Sequence, residues 1–171
     1  MKTPKCTICG GEHYKTFCHK APRKPIKTAS KAVKAKKGKT TRPKAKPRSY
    51  YVKQLDSVFS KYIRYSAVEE DGLVTCVTCG DRIPPKDIQN GHFISRGKYP
   101  TRWEEDNCHP QCVRDNIFLN GRYIDYTLFM VREYGLHRIN ELKEQSISGK
   151  KISTAEIKDM IELYKDKLAN L

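Results

Sequence analysis

Residues 90–121, NGHFISRGKYPTRWEEDNCHPQCVRDNIFLNG, decide how this chain is read. They set His92, Asn107 and Asn116 in order, interleave Cys108 and Cys112, and follow shortly after Cys76-x-x-Cys79-Gly80. The stretch IQNGHFIS, residues 88–95, alternates apolar and polar side chains and predicts a short strand carrying His92. A basic loop, RGKYPTRWEED, leads to NCHPQ, read as a second short strand. A short helix is expected from about Cys112 to a break at Gly121. A lone C-x2-C is weak evidence of anything. The return of Cys108 and Cys112 further along makes a metal-stapled turn the stronger reading.

Upstream, Val52, Leu55, Phe59, Tyr62 and Ile63 follow a three-to-four spacing, which predicts an amphipathic helix from near Ser49 to before Gly72. Downstream, YIDYTLFMVREYG and LHRINELKEQ predict two helical segments separated around Gly135. Ser153-Thr-Ala-Glu156 has the form of a capping box, opening a last helix whose buried face is Ile157, Met160, Ile161, Tyr164 and Leu168. These C-terminal helices read as scaffold or as the surface of a possible homodimer. The expected fold class is small α+β, a metal-stapled ββα core embedded in a helical domain.

The 171 residues are 37% hydrophobic, so a large core cannot extend along the whole length. No apolar run is long enough to span a membrane, and MKTPKCTICG lacks the apolar stretch of a secretory signal. The protein is expected to stay in the compartment where it is made. An odd number of cysteines, seven, in short-spaced clusters reads as thiolate metal ligation rather than disulfides.

The charge is unevenly placed. Residues 1–50 hold sixteen Lys/Arg against a single acid, Glu12, so the whole net charge of +15 sits there. The remainder balances. An N-terminal basic arm implies a polyanionic partner, nucleic acid being the commonest. Within it, Cys6, Cys9, His13 and Cys18 form C-x2-C-x3-H-x4-C, a zinc-knuckle-like module over residues 1–20, with His19 as an alternative fourth ligand. Residues 21–48 hold twelve Lys/Arg, four prolines and no acid. Such a linker cannot offset its ordering entropy by burial and is expected to hold phosphates without reading sequence. A third segment, 49–171, carries the chemistry.

That chemistry starts from His92. An imidazole titrates near neutrality and can deprotonate water, while a divalent cation stabilises charge on a leaving oxygen. Asn107, on the facing strand, is placed to hold the imidazole or its loop, and Asn116 to offer an amide oxygen to the cation. Gly91 is expected to leave room for a phosphate. Arg96, Lys98, Arg102, Arg114 and Arg122 flank these elements as candidate phosphate contacts. Tyr99 or Trp103 is placed to stack on an unpaired base, Trp103 equally to cover the small core.

The series His92, Asn107, Cys112, Asn116 resembles the HNH (ββα-metal) endonuclease motif. More widely, PRSY at 47–50, CVTCG, GHFISRG, TRWEEDN, HPQC and NG resemble the NinG/Rap recombination proteins of lambdoid phages, over roughly residues 46–170. The resemblance implies structure-specific cleavage of branched DNA, such as Holliday junctions or D-loops, in the cytoplasm of an infected bacterium. It implies His92 as general base, Asn107 as the residue orienting it and Asn116 as the last member of the motif. Structural Zn2+ and catalytic Mg2+ or Mn2+ are the implied cofactors.

This chain departs from the pattern twice. The family's second C-x2-C is missing, since Cys112 is followed three residues later by Asp115. Either Asp115 or Cys108 would then complete a zinc site with Cys76, Cys79 and Cys112, or the zinc would be weakened or absent. Gly91 also stands where many HNH nucleases have a metal ligand, so Asn116 would need help from Gln89, Asp87, Asn120, water or phosphate. A zinc-stabilised nucleic-acid-binding protein without catalysis is the alternative.

Overall fold

The computed structural model describes residues 5–12 and 45–171. The chain divides into two units, Met1–Arg42 and Pro43–Leu171. In the first, the described residues form one tight turn. The Gly10 amide bonds to the Cys6 carbonyl and the Cys6 amide to that of Gly11, each at 2.8 Å. Gly10 has φ +75°, where a side chain would be strained. His13, Cys18, His19 and most of the basic linker lie outside the described residues.

The second unit begins with helix α1, Arg48–Tyr65, whose stripe of Val52, Leu55, Phe59 and Ile63 is buried as the spacing predicts. Two short antiparallel pairs follow. Strand β1, Val74–Thr75, pairs with β2, Arg82–Ile83. Strand β3, Gln89–His92, pairs with β4, Cys108–Gln111, in a register that sets His92 opposite Cys108 and Gly91 opposite His109. Strand β3 ends at His92, short of the predicted Ser95, because Asn107 takes over as partner. The Asn107 carbonyl accepts from the Phe93 amide at 2.9 Å and its side-chain oxygen from the Ile94 amide at 2.7 Å.

The expected short helix is one π-helical turn, Arg114–Phe118. Its amides are diverted: Asp115 N–H points at the Cys112 sulfur, 3.3 Å away, and Leu119 N–H reaches back five residues to the Arg114 carbonyl at 2.9 Å. Such turns recur at functional sites. Helix α2, Tyr123–Ile147, is broken at Gly135, where φ is +74°, as its sequence predicts. Helix α3, Thr154–Ala169, opens on the full capping box: Glu156 N–H donates to Ser153 Oγ at 3.2 Å and Ser153 N–H to Glu156 Oε2 at 2.7 Å.

Helices α1 and α3 pack through Leu55, Phe59, Ile157, Ile161 and Tyr164, with Trp103 and Cys108 filling the same cluster. A second cluster, Val74, Cys76, Ile88 and Cys112, lies beneath the cysteine turn. A third, Phe93, Tyr126, Met130 and Leu142, seats α2 against the β3–β4 hairpin. The architecture is small and mixed, with helices around two minimal sheets. No helix among the described residues is long and apolar enough to cross a membrane.

Candidate functional site

The turn Cys76–Gly80 repeats the backbone of Cys6–Gly10. Gly80 N–H bonds to the Cys76 carbonyl and Cys76 N–H to that of Asp81, each at 2.9 Å, and Gly80 has φ +77°. In this way Cys76 and Cys79 face the start of the π-helical turn. Ligand atoms of Cys76, Cys79, Cys112 and Asp115 all lie within 4.8 Å of one another. The Cys79 and Cys112 sulfurs are 3.8 Å apart, too far for a disulfide and matching two thiolates on a tetrahedral ion with bonds of about 2.3 Å. Amides of Cys112 and Asp115 point at the Cys76 and Cys112 sulfurs from 3.2 and 3.3 Å; against burial, hydrogen bonds lower the Cys76 pKa, whereas burial prevails at Cys112 and raises it. These four side chains could hold a metal ion.

Asp115 is fully buried and held from three sides, by Thr78 Oγ1 at 2.7 Å, Arg114 Nε at 3.0 Å and Arg122 Nη1 at 3.4 Å. Burial alone would raise its pKa, but the Thr78 and Arg114 hydrogen bonds outweigh that and hold the carboxyl at about 2. Cys108 stands apart. Its thiol is in the α1–α3 core and contacts the Arg102 carbonyl at 3.6 Å, and burial pushes its pKa up. Of the two candidates for the fourth position, Asp115 joins the cluster and Cys108 does not.

His92 lines a cleft between α1 and the hairpin. One lobe is walled by Asp56, Ser60, Arg64, Asn90, His92, Arg96 and Trp103. The other adds Lys86, Asp87, Gln89 and Asn116, and shares Ser60, Arg64, Asn90 and Arg96. His92 Nε2 lies 3.1 Å from the Arg102 carbonyl. A carbonyl only accepts, so Nε2 carries the proton and Nδ1 keeps its lone pair. No hydrogen bond among the described residues engages Nδ1. Burial above all, with Arg96 and Arg102 nearby, lowers the His92 pKa.

Asn107 explains why that carbonyl is where it is. It is fully buried, and its amide nitrogen donates to Ile94 O at 3.0 Å and Thr101 O at 2.9 Å while its oxygen takes the Ile94 amide. The loop 94–101 is thereby clamped, and the next residue, Arg102, holds the imidazole. Asn107→Ala removes three bonds and orphans buried groups, so a loss of about 3 kcal/mol in unfolding free energy is expected from chemical denaturation. Asn116 Nδ2 donates to Gln89 Oε1 at 2.7 Å, which turns Asn116 Oδ1 away from that bond. Gln89 and Asp87 share the lobe with Asn116, whereas Asn120 does not line it.

The space at Gly91 is not open to a phosphate. A Cβ there would meet Gln111 Oε1 at 2.5 Å, so the fully buried Gln111 fills it. The Gly91 carbonyl accepts from Tyr126 OH at 3.1 Å, and Tyr126 in turn accepts from His109 Nδ1 at 3.1 Å. His109 Nε2 completes the chain as acceptor from Tyr134 OH at 2.8 Å. Burial, opposed by Asp106 and Glu133, lowers the His109 pKa to about 4. The folded state therefore binds fewer protons than the unfolded chain between about pH 4 and 6.5. Its stabilisation is complete above that window and falls by about 3 kcal/mol as pH drops through it. Melting curves at pH 7.5 and 5 should show a larger acid loss for wild type than for His109→Gln, which does not titrate.

The candidate phosphate contacts divide. Arg96 lines both lobes with its side chain 63% exposed and a 3.3 Å contact to Asp56, and Lys98 is exposed on the adjoining turn. Arg102 is instead clamped by Asp56, at 2.9 and 2.6 Å, beside the Trp103 indole on the same carboxylate at 3.0 Å. Arg114 and Arg122 are engaged by Asp115, and also by Asp81 and Asp125. Cations not anticipated line the cleft: Lys53, Lys61 and Arg64 from α1, and Lys86. The Arg64 bonds all go to carbonyls, of Ser60, Pro85, Lys86 and Ile88, so none neutralises its charge. The α1 cations had a signal in the sequence, since Lys53, Lys61 and Arg64 sit between the buried positions of the α1 stripe. Trp103 is 6% exposed and belongs to the core. Tyr99 packs edge-on against it, flanked by Arg48 and Arg102.

Fold and site define a small mixed α/β protein with a Cys3Asp cluster able to hold metal beside a cation-lined His/Asn cleft. The chain belongs to the NinG family: the family model described as Bacteriophage Lambda NinG protein matches residues 2–171. It is similar to Protein ninG of Salmonella phage P22, 29% identical over 127 residues, 74% of this chain and 60% of that one. Protein ninG of Escherichia phage 933W is 28% identical over 127 residues, again 74% of this chain and 60% of the relative. For Escherichia phage lambda the figures are 28%, 74% and 59%. The chain thus spans about 60% of the length of these relatives. No solved structure matches.

Proposed function

We propose that this protein is an endodeoxyribonuclease of the HNH, ββα-metal type, with zinc as the ion of the Cys76, Cys79, Cys112 and Asp115 cluster. The observation that carries the proposal is the hold on His92. One ring nitrogen is committed to the Arg102 carbonyl through a loop that Asn107 clamps, and the other keeps its lone pair on a residue that lines a cation-rich cleft. Water gives a proton to Nδ1 as its oxygen bonds to phosphorus. The phosphorus–O3′ bond breaks, and the departing oxygen takes a proton from solvent, leaving 5′-phosphate and 3′-hydroxyl ends. A magnesium or manganese ion, when bound, stabilises charge on that oxygen.

Arg64, Arg96, Lys53, Lys61, Lys86 and Lys98 would position the phosphate backbone without reading bases. The resemblance to recombination proteins points to branched DNA as the substrate, with the basic N-terminal segment as a tether. The test is incubation of purified protein with a labelled four-way junction, a D-loop and a linear duplex, with Mg2+, Mn2+ or EDTA. Cation-dependent cutting that favours the branched forms is expected. Tight binding with no cutting in any cation would favour the non-catalytic alternative, for which Gly91, in place of a metal-ligating residue, is the specific argument.

A further inference from the structure

Two buried side-chain oxygens among the described residues have no hydrogen-bond partner, Asn90 Oδ1 and Gln111 Oε1. A buried carbonyl oxygen left unpaired is costly, so each wants a reason. Gln111 has a packing reason, because its side chain fills the volume beside Gly91 while its amide nitrogen bonds to Gly121 O at 2.7 Å. It lines neither lobe of the cleft. Asn90 fills no such gap: its amide meets the Cys108 thiol, its oxygen is left over, and it lines both lobes.

We propose that Asn90 is a cation ligand, holding a hard divalent ion in the cleft together with the amide oxygen of Asn116. The inference rests on the nuclease reading for its purpose, not for its geometry. Asn90 and His92 are two apart on β3 and so share a strand face. Asn116 and Asp87 line the same lobe as Asn90. An amide oxygen is an acceptor only, which suits a cation and repels a phosphate. Asp56, the carboxylate of the first lobe, is already committed to Arg102 and Trp103. Asn90 thereby supplies from two residues upstream of His92 the oxygen that Gly91 cannot.

The donors are neutral amides with Arg64, Arg96 and Lys86 around the same lobe, so the free protein should hold the ion weakly. A phosphate in the cleft would tighten it.

The full chain, loaded with zinc so that the thiolate cluster is filled, is titrated with Mn2+ alone and free Mn2+ is followed by electron paramagnetic resonance. Asn90→Asp should bind about tenfold or more tightly than wild type, since it adds a charged oxygen at the same point. Asn90→Leu should bind about tenfold or more weakly. Circular dichroism and zinc content establish that each variant is folded. If Asn90→Leu does not fold, Asn90→Asp decides alone. Mn2+ titrations indistinguishable from wild type in the folded variants would overturn the assignment, even if the wild type cuts DNA. Mn2+ affinity that follows residue 90 in a protein that cuts no DNA would keep the ligand and remove the nuclease.

Discussion

If the Cys76–Cys79–Cys112–Asp115 cluster holds zinc as proposed, its removal is expected to unfold the β1–β2 turn and the π-helical segment, the largest stability effect in the molecule. Beneath the cluster lie Val74, Ile88 and the cysteines themselves, with Ala67 and Ile83 partly buried against them, and strands β1 and β2 are two residues each. So small a core cannot offset the entropy of ordering the turn and the π-helical segment. A structural zinc ion contributes on the order of 10 kcal/mol in small domains, more than the whole net stability of a typical fold. Chelation, or Cys79→Ser, should therefore abolish protection of the β1–β2 and π-helical amides in hydrogen exchange. α1 and α3, joined through their own core, should persist longer. Asp115→Ala leaves three ligands and deprives Arg114 and Arg122 of their shared carboxylate, so it should release metal. Asp115→Cys restores a four-thiolate set and should retain zinc at lower pH than Asp115→Ala. Wild-type amide protection unchanged after complete chelation would show that the cluster is not structural.

The second large effect concerns His92. His92→Ala removes the one imidazole that lines the cleft among the described residues but none of the cations that line the lobes, Lys53, Lys61, Arg64, Lys86 and Arg96. DNA binding should persist while cutting falls about 100-fold or more, the usual contribution of a positioned base. The fold should survive, because the hairpin register and the Asn107 clamp do not depend on the ring. Arg102→Ala should lower cutting less directly, by freeing Asp56 and loosening the loop whose carbonyl holds the imidazole.

Much of this was legible in the sequence, because the signals were local. The α1 stripe, the Ser153–Glu156 box, the Gly135 break and the Cys76–Gly80 turn each depend on neighbours a few residues away. The fourth member of the cysteine cluster was not local. Four strand residues at about 3.3 Å each put Cys108 about 13 Å of chain from Cys112, and β4 delivers it to the α1–α3 core. Asp115, one turn beyond Cys112, returns to the sulfurs instead. The arginines were ambiguous for a similar reason. A basic residue looks the same in sequence whether it meets phosphate or a carboxylate, and Asp56 and Asp115 engage four of the five proposed contacts, Arg96 among them at 3.3 Å. Gly91 misled because the side chain that fills its space, Gln111, comes from the facing strand. Asn90 was within reach, since period-two alternation already put it on the face of His92.

The most direct measurement is single-turnover cleavage of an end-labelled four-way junction with Mg2+ or Mn2+, at enzyme concentrations that saturate binding for both wild type and His92→Ala. The nuclease reading predicts cation-dependent cutting by wild type and a first-order rate about 100-fold or more lower for the variant, at equal junction affinity. Equal rates for the two proteins would contradict it.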